Sequence, residues 1–74
     1  MKFTIKHESR GRMRVHMEQY RMTYEQADVL QYYLQQSDLV VDAKVYEQTA
    51  DVVISYNGDR AAIIHLLCTF KYQL

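Results

Sequence analysis

The chain has 74 residues, and nine Lys and Arg balance nine Asp and Glu, so the formal net charge is zero. That length makes one small domain, free-standing or cut from a longer chain, which buries only about 60–65% of its unfolded surface. The lone cysteine, Cys68, excludes an internal disulfide and a four-thiolate zinc site, and no run reaches the roughly 20 apolar residues of a membrane-spanning helix.

The N-terminus, Met1-Lys2-Phe3-Thr4-Ile5-Lys6-His7, carries charges where a signal peptide needs an apolar stretch, so the chain reads as soluble and unprocessed. Phe3, Ile5 and His7 alternate with Lys2, Thr4 and Lys6, the pattern of a strand with one apolar side. Residues 8–10 interrupt it, and Gly11 permits a kink or bulge. Strict alternation then resumes in Arg12-Met13-Arg14-Val15-His16-Met17. Met13, Val15 and Met17 fall on one face and Arg12, Arg14 and His16 on the other. The reading adopted is one first strand broken in two, with a hairpin as the alternative.

Thr23-Tyr24-Glu25-Gln26 opens a helix, because Thr23 can cap the amide of Gln26 while the Gln26 side chain reaches back. Met22 and Ala27 form a modest hydrophobic staple across that start. Ala27, Leu30 and Leu34 share a face with Tyr33 beside them, and Asp28, Gln31, Gln35 and Gln36 turn away. The helix is expected to stop near Ser37-Asp38. Val41, Ala43 and Val45 alternate with Asp42, Lys44 and Tyr46 to give a strand, and residues 47–50 turn into a second, 51–56, antiparallel to it. Asp59 caps a second helix with Ile63, Leu66, Leu67 and Phe70 along one stripe. Lys71-Tyr72-Gln73 is a stub of a last strand, short or missing.

The order strand, helix, strand, strand, helix, with a strand to follow, predicts an α+β fold. It is the ferredoxin-like split βαβ arrangement, an antiparallel sheet with two helices on one face. The neutral total hides a division of charge. Residues 1–22 hold six bases against Glu8 and Glu18, a net of +4, and residues 23–59 hold Lys44 against seven acids, a net of −6. A basic edge of this kind can meet an anionic surface.

Nothing spells out a catalytic arrangement. There is no Ser–His–acid spacing, no glycine-rich phosphate loop, and the acidic residues fall on exposed positions. For metals, His65 and Cys68 lie three apart on the second helix and are the weak candidate pair, copper(I) or zinc being the ions their chemistry suits. The simpler reading makes Cys68 a small buried residue and His65 a polar-edge one. His7 and His16 are weaker metal candidates still. Met13 and Met17 have the opposite strand parity from His16, and His7 reads as a packed strand-end residue. Nucleic acid is disfavoured, since Arg10-Gly11 is followed by Arg12-Met13 where an RNA-binding sheet carries aromatics. Arg12 and Arg14 remain as the docking candidates. They pair across the sheet with Asp42 or Asp51, or they dock the domain onto an acidic partner or onto anionic lipid.

Four segments taken together resemble a known family. They are Ser9-Arg10-Gly11-Arg12-Met13-Arg14-Val15, Arg21-Met22-Thr23-Tyr24-Glu25-Gln26-Ala27-Asp28, Val41-Asp42-Ala43-Lys44-Val45-Tyr46-Glu47 and Asp51-Val52-Val53-Ile54-Ser55-Tyr56. In order and spacing they are similar to the heavy-metal-associated-like domain that precedes the membrane part of bacterial heavy-metal-translocating P-type ATPases. The resemblance spans residues 1–74 as a single domain. It implies a noncatalytic N-terminal piece of a longer membrane transporter, on the cytoplasmic side, whose partner is the rest of the pump. It also implies that catalysis belongs to the parent chain. Metal-binding members carry a Met-x-Cys-x-x-Cys loop between first strand and first helix. Here that loop, residues 18–22, has no cysteine, so no family metal ligand carries over. An unfilled sheet edge would leave room for an edge-strand homodimer.

Overall fold

The structure, a computed structural model, describes residues 2–18 and 22–71. Six elements follow one another: β1 (Phe3–Ser9), β2 (Arg12–Met17), α1 (Tyr24–Gln35), β3 (Val40–Tyr46), β4 (Asp51–Tyr56) and α2 (Arg60–Thr69). The sheet order is β1-β2-β4-β3, and every neighbouring pair is antiparallel. β2 and β3 therefore run parallel to each other with β4 between them, and α1 makes the crossover. The fold is α+β, with a four-stranded antiparallel sheet and two helices.

The start of the chain departs from the single broken strand expected of it. β1 and β2 are separate strands of a hairpin joined at Arg10-Gly11, with Ser9 opposite Arg12. Gly11 has φ +75°, and a Cβ there would stand 3.3 Å from the Tyr56 carbonyl. The Tyr56 N–H donates to the Gly11 carbonyl at 2.9 Å, which ties the hairpin turn to β4. A residue with a side chain would be strained by its backbone and crowded by its neighbour. β1 fills the sheet position beside β2. The expected last strand falls at Lys71, which has no regular structure, and at residues 72 and 73, which lie outside the described residues.

Two bulges reset the face that side chains occupy. In β1 the register skips Lys6, so Ile5 lies opposite Val15 and His7 opposite Arg14. His7 thus leaves the apolar side assigned to it by simple alternation and is exposed beside Arg14. In β3 the register skips Val41, which is 64% exposed, and Val40 takes the inward place opposite Tyr56. One inserted residue reverses the parity of everything on one side of it.

One face of the sheet forms the core. Met13, Val15 and Met17 of β2, Val52, Ile54 and Tyr56 of β4, and Ala43 and Val45 of β3 are buried in one cluster with Ala27, Leu30 and Leu34 of α1 and Ile63 and Leu67 of α2. Phe3, Ile5 and Leu66 pack half-buried against it. α1 starts as expected: Thr23 Oγ1 accepts from Gln26 N at 3.0 Å and Gln26 Oε1 accepts from Thr23 N at 3.1 Å. This capping box is worth about 1 kcal/mol. The helices are tied to each other by the Tyr33 hydroxyl, which donates to the Leu66 carbonyl at 2.9 Å, and by a Tyr33–Phe70 ring contact at 4.8 Å.

Two of the glutamines expected to face away from the protein are used. Gln35 Nε2 donates to the Ala43 carbonyl at 3.3 Å, and Gln31 Oε1 accepts from Val45 N at 3.1 Å. β3 is an edge strand, so these backbone groups have no strand partner. α1 supplies one from its side chains and closes that edge to a further strand.

Candidate functional site: the open face of the sheet

The side of the sheet away from the core is built from alternate residues of all four strands. Three cross-strand rows run over it: Ser9, Arg12, Ser55 and Asp42; then His7, Arg14, Val53 and Lys44; then Thr4, His16, Asp51 and Tyr46. The middle row places three basic side chains around Val53. Arg12 adds a fourth basic group from the row beside it, and His16 a fifth from the other. Among the described strand residues of this face Asp42 and Asp51 oppose them, and Glu47 of the turn after β3 lines a hollow beside Arg14.

Asp51 is the hub of this face. It opens β4 opposite His16 and is only 9% exposed. One carboxylate oxygen lies 2.9 Å from His16 Nδ1, and the other accepts from an Arg14 terminal nitrogen at 3.2 Å. Burial pushes the Asp51 carboxyl upward, but hydrogen bonds from His16, Arg14 and Thr49, with the Arg14 charge, outweigh it and hold the group below the usual aspartate value. A mostly buried carboxylate satisfied from three sides is a structural anchor, and it fixes Arg14 in place while leaving that side chain 53% exposed.

Arg12, the other docking candidate, is exposed, and none of the ion pairs among the described residues involves it. Of the two cross-sheet pairings expected of these arginines, the one between Arg14 and Asp51 forms. Lys44 Nζ sits 5.3 Å from the centre of the Tyr46 ring, a cation–π arrangement at the far side of the same face. His7, Ser9, Arg12, Arg14 and Val53 line a hollow of about 380 Å³.

The remaining candidates are scattered. His65 and Cys68 are both exposed on α2, so Cys68 is not the buried apolar residue that the simpler reading made it. His7 and His16 share the open face because of the Lys6 bulge, with Met13 and Met17 on the opposite one. Among the described residues, no group of three or more His, Cys, Asp or Glu is placed to hold a metal ion. The 18–22 loop falls mostly at residues 19–21, outside the described residues. Glu8 of β1 points to the helix side and pairs with Arg60 at the start of α2, whose hydrogen bond holds the Glu8 carboxyl below its ordinary value.

A second surface feature had no sequence signal. Between α1 and α2 an open groove of about 1020 Å³ is lined by Val29, Tyr32, Tyr33, Leu66 and Phe70 with polar residues at its rim. No described helix is long and apolar enough to cross a membrane. Compared with known protein families, with curated proteins and with solved structures, the chain finds no match.

Proposed function

We propose that this chain is a noncatalytic docking domain that meets an acidic surface through the open face of its sheet. The observation that carries the reading is the division of the sheet: one face is sealed by the core, and the other sets His7, Arg12, Arg14 and Lys44 around a single valine. Arg14 is held in position by Asp51, and none of the ion pairs among the described residues involves Arg12. Opposite charge on a partner steers encounter and fixes orientation.

The family resemblance supplies the parent. On that reading the domain sits on the cytoplasmic side of a heavy-metal-translocating P-type ATPase and regulates it by contact with the rest of the pump. The fold fits the same proposal. β2, α1, β3, β4 and α2 follow the ferredoxin-like order, and β1 takes from the N-terminal side the edge place that a last strand fills in that fold. The chain is then a permuted ferredoxin-like domain.

The test is made in the full-length protein. Arg12→Gln together with Arg14→Gln should change transport or ATPase activity while the domain stays folded, and unchanged activity counts against docking. The parent is tested separately by the reading frame after Leu74, which should encode membrane-spanning segments. A second reading, direct metal sensing, draws on the bulge that brings His7 to the face of His16. Titration of the domain with copper(I) and zinc decides it, and binding weaker than micromolar ends it.

A further inference from the structure

The hollow on the open face has a more specific chemistry than a general basic surface. Four of its five lining residues carry hydrogen-bond donors: the Arg12 and Arg14 guanidinium groups, the His7 imidazole and the Ser9 hydroxyl. Among the described residues no carboxylate lines it. Asp51, the nearest acid on β4, is engaged by Arg14, His16 and Thr49. Asp42 stands on β3, two strands from β2, or roughly 9–10 Å away.

The donors are also arranged to converge. Arg12 and Arg14 are two residues apart on one strand face, so their stems start about 6.6 Å from each other. Ser9 faces Arg12 and His7 faces Arg14 on the adjacent strand, giving four donor side chains at the corners of one square. Both corners on β1 exist only because the Lys6 bulge reverses the parity of His7 and Ser9 relative to Ile5. Bulges that re-aim a side chain concentrate at functional sites. Val53 forms an apolar floor that takes none of these donors. With one Arg14 terminal nitrogen given to Asp51, the Arg12 fork, the remaining Arg14 donors, an imidazole and a hydroxyl still offer more hydrogen bonds than the two oxygens of a carboxylate can accept side by side. A tetrahedral dianion with three terminal oxygens accepts them all.

We infer that this hollow binds a phosphate monoester, with Arg12 and Arg14 clamping its terminal oxygens and His7 and Ser9 completing the shell. The inference rests on the open face being the working surface of the domain, and not on the identity of the parent. A phosphate monoester is presented either by a soluble metabolite or by a lipid headgroup such as phosphatidic acid, and the chemistry of the hollow is the same for both.

The experiment follows amide shifts of the 74-residue chain during titration with inorganic phosphate, at an ionic strength held constant with sodium chloride. Saturable shifts are expected at His7, Ser9, Arg12, Arg14 and Val53. Arg12→Gln should weaken binding by about ten-fold or more, and Lys2→Gln, an exposed charge elsewhere, should leave it within about two-fold. Shifts that never saturate, or equal losses from the two variants, would overturn the site. Vesicles containing phosphatidic acid or phosphatidylserine at equal charge then separate the sources. Retention by phosphatidic acid alone assigns a lipid, and a phosphate response with no retention assigns a soluble ligand. Equal retention by both lipids reduces the face to nonspecific charge and overturns the site. A pump that responds to the arginine substitutions while the chain ignores phosphate leaves docking standing and removes this inference, and the converse removes docking alone.

Discussion

β2 presents Met13, Val15 and Met17 to one side and Arg12, Arg14 and His16 to the other, and different forces govern the two sides. The first three are fully buried in the core cluster. The second three are partly solvated; Arg14 and His16 are held by one carboxylate, that of Asp51, and none of the ion pairs among the described residues involves Arg12. The strand therefore separates stability from recognition residue by residue. Substitutions of one parity should unfold the protein, and those of the other should leave it folded with an altered surface.

The largest effect tests the buried side. Met13→Ala should destabilise the domain by about 2–5 kcal/mol, since it removes a long side chain from a fully packed position. Chemical denaturation would measure it as a lower midpoint with an unchanged slope. For a domain this small, with a total of about 6 kcal/mol to lose, that is a large fraction of its stability. A loss below about 1 kcal/mol would mean that this face is not the core.

Asp51 is where the comparison bends, because it lies on the open face and yet is nearly buried. Asp51→Asn should cost about 1 kcal/mol near neutral pH, a value discounted for the half-exposed Arg14 partner. The folded carboxyl titrates below its ordinary 3.8. Its contribution is therefore present above about pH 4 and disappears as the pH falls through the lower, folded value. Wild-type stability should drop in that acid window, and the Asn variant should lose this component of the slope. Identical acid profiles for the two proteins would show that the ion pair contributes nothing.

The edges of the sheet differ as the faces do. The β3 edge is closed by side chains from α1, and the β1 edge carries a bulge and the exposed Lys6, devices that discourage strand addition. Gln31→Ala should cost about 0.5–1.5 kcal/mol by stripping the Val45 amide of its acceptor. Combined with Gln35→Ala, it should also make the protein self-associate with rising concentration, as sedimentation velocity would detect. A double variant that stays monomeric would mean that the edge is protected by something other than these amides.

Much of this arrangement is legible in the sequence, and the rest is hidden for identifiable reasons. The capping box at Thr23 and Gln26 depends only on residues three apart, and the inward set of β2 depends only on alternation, so both are read directly. The α2 stripe is read almost as well, since Ile63, Leu67 and Phe70 are buried and Leu66 half-buried. The bulges at Lys6 and Val41 are different. Neither residue is unusual in type, and a single skipped residue reverses the face of all that follows, which moved His7 onto the open face and Val41 into solvent. The hairpin turn is carried by Arg10-Gly11 and lacks the Asn-Gly or Asp-Gly pair that marks such loops most strongly. The glutamines escape because their partners are backbone atoms, which have no sequence signature. Asp51 was one of two acids in reach of Arg14, and only the register of β4 against β2 selects it.

The smallest effect on stability is the one that discriminates most about function. Arg12 is exposed, forms none of the ion pairs among the described residues, and lies beside the buried Met13 on the same strand. Arg12→Gln should shift stability by no more than about 0.5 kcal/mol, because a solvated surface charge contributes little to folding. The neighbouring Met13→Ala should shift it several times as far, although the two positions share a backbone and differ only in the side on which they emerge. If Arg12→Gln instead destabilised the domain by more than about 1 kcal/mol, its guanidinium would be part of the structural network around Asp51. The open face would then owe its charge to folding, and a positive surface kept for folding is not evidence for a partner.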